Sequence, residues 1–222
     1  MSARRATYRP HGYGVVLALV VASALFQIAA PDADWARLVS IGLGAVTLVT
    51  AVRAARSHHA VVRAAAGTTV VLAVAAVAVL IVSGELSQAP AAIVNSLLIV
   101  FAPVVIGTGL VRDIRAEGAV TVRALSGVLA IYLLMGMLFS LLGIAVAAID
   151  DGEYFAGVTD ATRSDFLYYS YVTLSTTGFG DLSPVTDIAR MLAVTEALIG
   201  QVYLVTVVAL IVANLRPRAV RG

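Results

Sequence analysis

The residues best suited to chemistry lie in one stretch, 164–187, which reads SDFLYYSYVTLSTTGFGDLSPVTD. At its centre Thr176-Thr177-Gly178-Phe179-Gly180-Asp181 places glycine at alternate positions. Glycine reaches positive φ without steric cost, so this alternation lets successive carbonyls turn toward one axis. Four such loops around an axis would exchange the hydration shell of a monovalent cation for backbone oxygens. The Thr176 hydroxyl, one step below, offers a further oxygen. Thr176, Thr177, Gly178, Phe179 and Gly180 are therefore the candidate ion-coordinating residues.

These residues need an element that holds them at depth. Upstream, Ser164 is a suitable N-cap and Asp165 falls in the first helical turn, where it complements the helix dipole. Aromatic and apolar residues follow: Phe166, Leu167, Tyr168, Tyr169, Tyr171 and Val172. A helix over 164–175 would be about 18 Å long, roughly half a bilayer, so it enters and ends inside the membrane. Non-helical backbone at that depth is tolerated only where protein buries it or where it lines a water-filled path. The partly negative C-terminal end of such a helix would favour a cation waiting at the membrane centre.

Composition requires a membrane setting. The 222 residues are 60% hydrophobic and 13% charged, with a mean hydropathy of +0.97. A water-soluble domain would carry about twice that share of charge. With no cysteine there are no disulfides, iron–sulfur clusters or thiolate zinc sites. The net charge of +2 is too small for a nucleic-acid footprint. No Ser/His/Asp set, zinc-binding helix or paired catalytic carboxylates occur, which argues against an enzyme.

Apolar runs predict an all-α membrane fold with six crossings, at 13–30, 37–53, 64–83, 90–111, 124–149 and 188–215, plus the re-entrant segment. The second is the weakest, and its flanking Arg37 and Arg53 would snorkel to the interfaces. All 15 basic residues are arginine. If every long run spans, one side holds Arg4, Arg5, Arg9, Arg53, Arg56, Arg63, Arg112, Arg115, Arg123, Arg216, Arg218 and Arg221. The other holds Arg37, Arg163 and Arg190 with most of the acids. The positive-inside rule then makes both termini cytoplasmic in a plasma-membrane protein, and makes the short segment re-entrant from the outer side. The acidic stretch 150–160 reads as an outer-surface turret. The expected divisions are a cytoplasmic segment 1–12, a four-helix peripheral domain 13–115, a pore domain 124–215 and a short basic tail 216–222.

The region 124–215 resembles tetrameric potassium channels of the pore-loop superfamily. There the filter is usually threonine, then valine or isoleucine, then glycine, tyrosine or phenylalanine, glycine and aspartate. The likeness runs through the pore helix, filter 176–181, the Leu182-Ser183-Pro184-Val185-Thr186 exit and the inner helix 187–215 with Gly200. It implies a homotetramer in lipid with the filter on the fourfold axis, potassium (K+) as permeant ion and no organic cofactor. Two departures stand out. Thr177 occupies the usual valine position, and its hydroxyl needs a partner behind the filter. Phe179 replaces the commoner tyrosine and loses one hydrogen bond to the pore helix. Potassium selectivity is expected to survive both.

Supporting residues follow from the same comparison. Asp181 ends the filter, where a hydrogen bond to Tyr169 would brace it; the alternative is a solvated turn aspartate. Glu196 is the carboxylate well within a long run. Its place on the helix favours bracing of Thr173 or Thr177 over an ion site. Gly200 lies where the family often bends, or else eases helix packing. Beyond it Gln201, Leu204, Val208 and Val212 are candidates for the cavity lining and a dewetting gate.

The first four runs occupy the voltage-sensor position, yet 90–111 has no charge where such a sensor needs several arginines. Strong voltage gating is not expected. A scaffold, a lipid-facing collar or a docking site for a regulatory subunit remain. His58 and His59 read as solvated loop residues or as proton sensors. Gly42-x-Gly44 and Gly107-x-Gly109 read as helix-packing positions. Two other functions fit the sequence: a weakly selective sodium/potassium channel, motivated by Thr177, and a non-conducting sensor or accessory subunit with a pore fold.

Overall fold

The computed structural model describes residues 12–55, 60–83, 88–117, 122–149 and 153–214. Within them the chain forms seven helices: α1 (Gly12–Ala29), α2 (Asp34–Ala54), α3 (Ala60–Ser83), α4 (Gln88–Glu117), α5 (Val122–Ala147), α6 (Arg163–Leu174) and α7 (Asp187–Asn214). The apolar runs of the sequence reappear as these helices. The clearest difference is α4, which extends past the apolar run through Arg112, Arg115 and Glu117.

Among the described residues five helices are long and apolar enough to cross a membrane: α1, α2, most of α4, most of α5 and most of α7. In α3 the side chains are described without a break over Ala66–Val79, an apolar stretch shorter than a membrane span. The fold is thus an all-helical, multi-pass membrane architecture. In α2, Asp34 in the first turn and Arg53 in the last complement the helix dipole. Arg37 pairs with Asp34 at 2.5 Å. Hydroxyls inside the helices bond back to their own backbone, as Ser23 does to the Leu19 carbonyl, Ser40 to Ala36 and Ser96 to Ala92. That satisfies them without water.

The core lies where α1, α2, α4 and α5 meet. Tyr13, Val16, Val20, Leu48, Leu98, Ile106 and Leu134 are fully enclosed there. Gly109 admits this packing, since a Cβ on it would strike the Tyr13 hydroxyl and Ala55; Gly44 likewise makes room for Asn95. Gly42 faces open space and a Cβ on Gly107 would only touch Ile131, so one glycine of each pair carries the packing expected of both. Helix α3 leans on α4 and α2, while α7 lies against α5 and α6. Val71, Leu72, Val74 and Val82 of α3 and Met191, Val194, Leu198, Val202 and Val205 of α7 are exposed. Apolar surface on that scale needs lipid or another chain to cover it.

Candidate functional site

The short helix α6 has 12 residues, about 18 Å. Its N-cap is Thr162 rather than Ser164. The Thr162 hydroxyl accepts from the Asp165 backbone N–H at 3.3 Å while the Asp165 carboxylate accepts from the Thr162 N–H at 2.8 Å. This reciprocal pair satisfies two donors at once, which a cap at Ser164 with no acid three residues later could not do. Arg163 follows the cap, 6% exposed. It donates to Asp32 at 2.8 Å and to the Pro31 carbonyl at 3.1 Å, fixing the start of α6 to the turn between α1 and α2. The sequence assigned both charges to one side without suggesting that they pair.

At the other end α6 gives way to the candidate ion-coordinating loop. Thr176, Gly178 and Gly180 have φ of +57°, +57° and +80°. Left-handed residues thus recur at every second position. In an ordinary extended strand, successive carbonyls point to opposite sides; inserting a left-handed residue at alternate positions brings them toward one side. The amides point the other way. The Thr176 N–H donates to the Thr173 carbonyl, and the Thr177 and Gly178 N–H groups donate to the Val172 carbonyl. These bonds also satisfy carbonyls that the end of a helix leaves without partners. Residues 175–181 are all exposed. Thr176 is the non-glycine member of the alternation, a conformation costing roughly 1–2 kcal/mol for an L-residue.

The side chains around the loop correct several expectations. Asp181 accepts from the Tyr168 phenol at 2.8 Å, not from Tyr169. Adjacent helical residues point about 100° apart, so the two tyrosines serve different surfaces. Tyr168 faces the loop, where its ring also stacks on Phe179 at 6.4 Å and 4°. Tyr169 turns inward, packs on Phe155 at 4.9 Å and hydrogen-bonds with Thr173. Thr173 is therefore engaged by Tyr169, and Thr177 has the Ser175 hydroxyl at 2.8 Å. Glu196 reaches neither Thr173 nor Thr177. Its carboxyl meets the Ser170 hydroxyl, one helical turn nearer the start of α6.

The exit 182–186 is held by a contact that polarity obscured. In the stretch 150–160 read as a surface turret, residues 150–152 lie outside the described residues. Within the remainder, Tyr154 and Phe155 are buried, Phe155 fully. The Ala156 N–H donates to the Ser183 carbonyl at 2.9 Å and the Val185 N–H to the Tyr154 carbonyl at 3.0 Å. Phe155 packs on Tyr154, Phe166 and Tyr169 with ring centroids 4.7 to 5.1 Å apart. The aromatic pair in Glu153-Tyr154-Phe155 was the available signal, outweighed by its acidic neighbours.

Helix α7 is positioned by two hydroxyls and one glycine. The Thr186 hydroxyl accepts from the Ala189 N–H at 3.3 Å, and the Tyr203 phenol donates to the Val128 carbonyl of α5 at 2.7 Å. A Cβ on Gly200 would fall on the Leu174 carbonyl at the end of α6. Of the two sequence readings of Gly200, close packing is visible, and α7 continues as helix through it. Gln201 and Leu204 are exposed. Val208 and Val212 fall on α7, but their side chains lie outside the described residues, as do His58 and His59.

A long helix, a half-length helix ending on an alternating-handed loop, and a second long helix packed against both make up the region α5–α7. Residues 127–216, α5 through the end of α7, match the family model described as "Ion channel". The matched span is under half of the chain and supports an ion-channel pore-domain family for that region. No curated protein and no solved structure matches the chain.

Proposed function

We propose that the protein is a potassium-selective channel that conducts passively through a fourfold ring of filter loops. The observation that carries this reading is the left-handed backbone at Thr176, Gly178 and Gly180. With the amides of Thr176, Thr177 and Gly178 tied back to α6, the carbonyls of Thr176, Thr177, Gly178 and Phe179, with the Thr176 hydroxyl, are the groups that would take over the hydration of K+. Gly180 and Asp181 form the outer mouth, with Asp181 held by Tyr168. A loop contributed by one chain encloses no ion, so the reading requires a homotetramer, for which the exposed faces of 175–181 and α7 provide surface.

In this reading α5 and α7 are outer and inner helices and α6 is the re-entrant pore helix. The chain crosses a plasma membrane six times, with both termini cytoplasmic. Permeation needs a site favourable enough to enter and weak enough to leave, which several successive carbonyl rings provide. The C-terminal dipole of α6 adds a local attraction for cations. Voltage is not the main stimulus, because the described face of α4 within the membrane has no arginine ladder. Leu204, Val208 and Val212 are the proposed constriction below Gly200.

The test is potassium efflux from liposomes containing the purified full chain, with its mass in detergent measured in parallel. The expected result is a tetramer whose efflux barium blocks. A tetramer without efflux under any tested pH, voltage or membrane tension would favour the non-conducting sensor.

A further inference from the structure

Glu196 is the buried acid for which the filter reading has no use. It lies in the first half of α7, 2% exposed. Among the described residues no ion pair reaches it. The titratable groups that sense its charge from the packed elements are both phenols, Tyr132 of α5 and Tyr169 of α6. An isolated carboxylate in such a place would be strongly disfavoured.

Hydrogen bonding locates the proton. Ser170 is buried and its Oγ lies 2.6 Å from the Gly136 carbonyl of α5. The same Oγ also meets Glu196 Oε1. A serine hydroxyl has one hydrogen, and a carbonyl can only accept. If the Ser170 hydrogen goes to Gly136, the hydrogen between Ser170 and Glu196 must belong to the carboxyl. Were Glu196 ionised, two acceptors would compete for one hydrogen, and one oxygen would face another without a proton between them.

We propose that Glu196 is a neutral acid whose proton completes a chain from α7 through Ser170 of α6 to Gly136 of α5, making it the positioning residue that seats the pore helix. The chain runs Glu196 O–H to Ser170 Oγ, then Ser170 O–H to the Gly136 carbonyl. Gly136 is suited to this junction, because a Cβ there would strike the Tyr171 ring beside Ser170. Tyr171 in turn donates to the Leu133 carbonyl at 2.9 Å, so α6 is fastened to α5 at two adjacent carbonyl sites. Loss of the Glu196 proton leaves one hydrogen for two acceptors, so the chain opens at one of its two links to Ser170, in the half of α6 nearer the filter. The coupling of this proton to conduction rests on the filter reading above; the proton itself does not.

The sign follows from the chemistry. The neutral form makes the bond, so the seat is intact at low and neutral pH and is lost as the pH rises. Above the transition the neutral population falls about tenfold per pH unit.

Two measurements on the full chain in lipid vesicles test this separately. In infrared spectra at neutral pH, wild type should show a protonated-carboxyl carbonyl band that is missing from Glu196→Gln. Ser170→Ala should keep that band and move it to higher frequency, since the acid loses its acceptor. Absence of the band in wild type, or an unmoved band in Ser170→Ala, overturns the proposal. For conduction, potassium efflux from wild type should fall about tenfold per unit above an alkaline threshold. Glu196→Gln, whose amide N–H can donate to Ser170 in place of the acid, should keep efflux and lose the alkaline fall. Identical pH profiles for the two proteins, or loss of efflux in an assembled Glu196→Gln tetramer at every pH, would overturn the coupling. No efflux from wild type would overturn the filter reading and its coupling, with the infrared band still deciding the proton.

Discussion

The two halves of the chain are built by different means. In the region α5–α7, polar groups are paired across elements: Arg163 with Asp32, Ser170 with Gly136 and Glu196, Tyr171 with Leu133, Tyr168 with Asp181 and Tyr203 with Val128. In α1–α4 the described hydroxyl bonds run mostly within one helix, and the buried Thr47 Oγ1 and Asn95 Oδ1, like Ser140 Oγ of α5, find no partner among the described residues. That half is assembled by close packing of small and branched apolar residues. Polar bonds between elements have direction and fix the placement of a helix to fractions of an ångström, whereas apolar packing tolerates sliding. The difference teaches where the chain spends directional bonds: around the loop whose carbonyls the proposed function would use.

Substitutions in each half should separate these modes of construction. The largest effect is expected at Gly178. Its φ of +57° is open only to glycine without penalty, and alanine costs roughly 1–2 kcal/mol in each subunit of the assembly. Gly178→Ala should abolish potassium efflux while the chain still assembles, measured by liposome flux alongside mass in detergent.

Gly200→Ala comes next, because the added Cβ meets the Leu174 backbone carbonyl, which cannot rotate away. Overpacking of this kind costs about 1–3 kcal/mol. A lowered thermal midpoint in detergent would register it; an unchanged midpoint would show that α6 and α7 are not as close as described. Asp32→Asn probes the link between the halves. It removes a charge pair while leaving an oxygen for Arg163, and with Asp32 more than a third exposed the cost should be near 1 kcal/mol. A loss several times larger would mean that the peripheral helices hold the pore helix more firmly than one ion pair.

Smallest is Gly42→Ala. Nothing lies within 4 Å of the new Cβ, so replacing a helical glycine should leave stability unchanged or raise it by up to about 1 kcal/mol. A clear destabilisation would place another chain against that face of α2.

The sequence made the helices legible because their apolar runs are long and their breaks are marked by charge. The loop 176–181 was legible through alternating glycine, and the alternation of left-handed φ lies where the spacing placed it, extended by Thr176. Individual pairings were not. Tyr168 and Tyr169 are neighbours of one type, and nothing in their order says which faces Asp181; α6 had to be seated on Phe155 before that was decided. Glu196 was singled out by burial in an apolar run, yet its partner depends on how α7 rotates against α6. The Phe155 cluster was hidden by acidic flanks, and the Arg163–Asp32 pair by a separation of 131 residues. The six-crossing count turns on α3, whose fully described stretch, Ala66–Val79, is shorter than a membrane span.

The central claim, that backbone oxygens of 176–179 select potassium, is tested most directly by the reversal potential of the reconstituted full chain with potassium on one side and sodium on the other. The account predicts a potential close to that of potassium, abolished together with the current in Gly178→Ala. A potential near zero with substantial current in wild type would contradict it, showing a pore in which Thr177 and Phe179 leave sodium and potassium undistinguished.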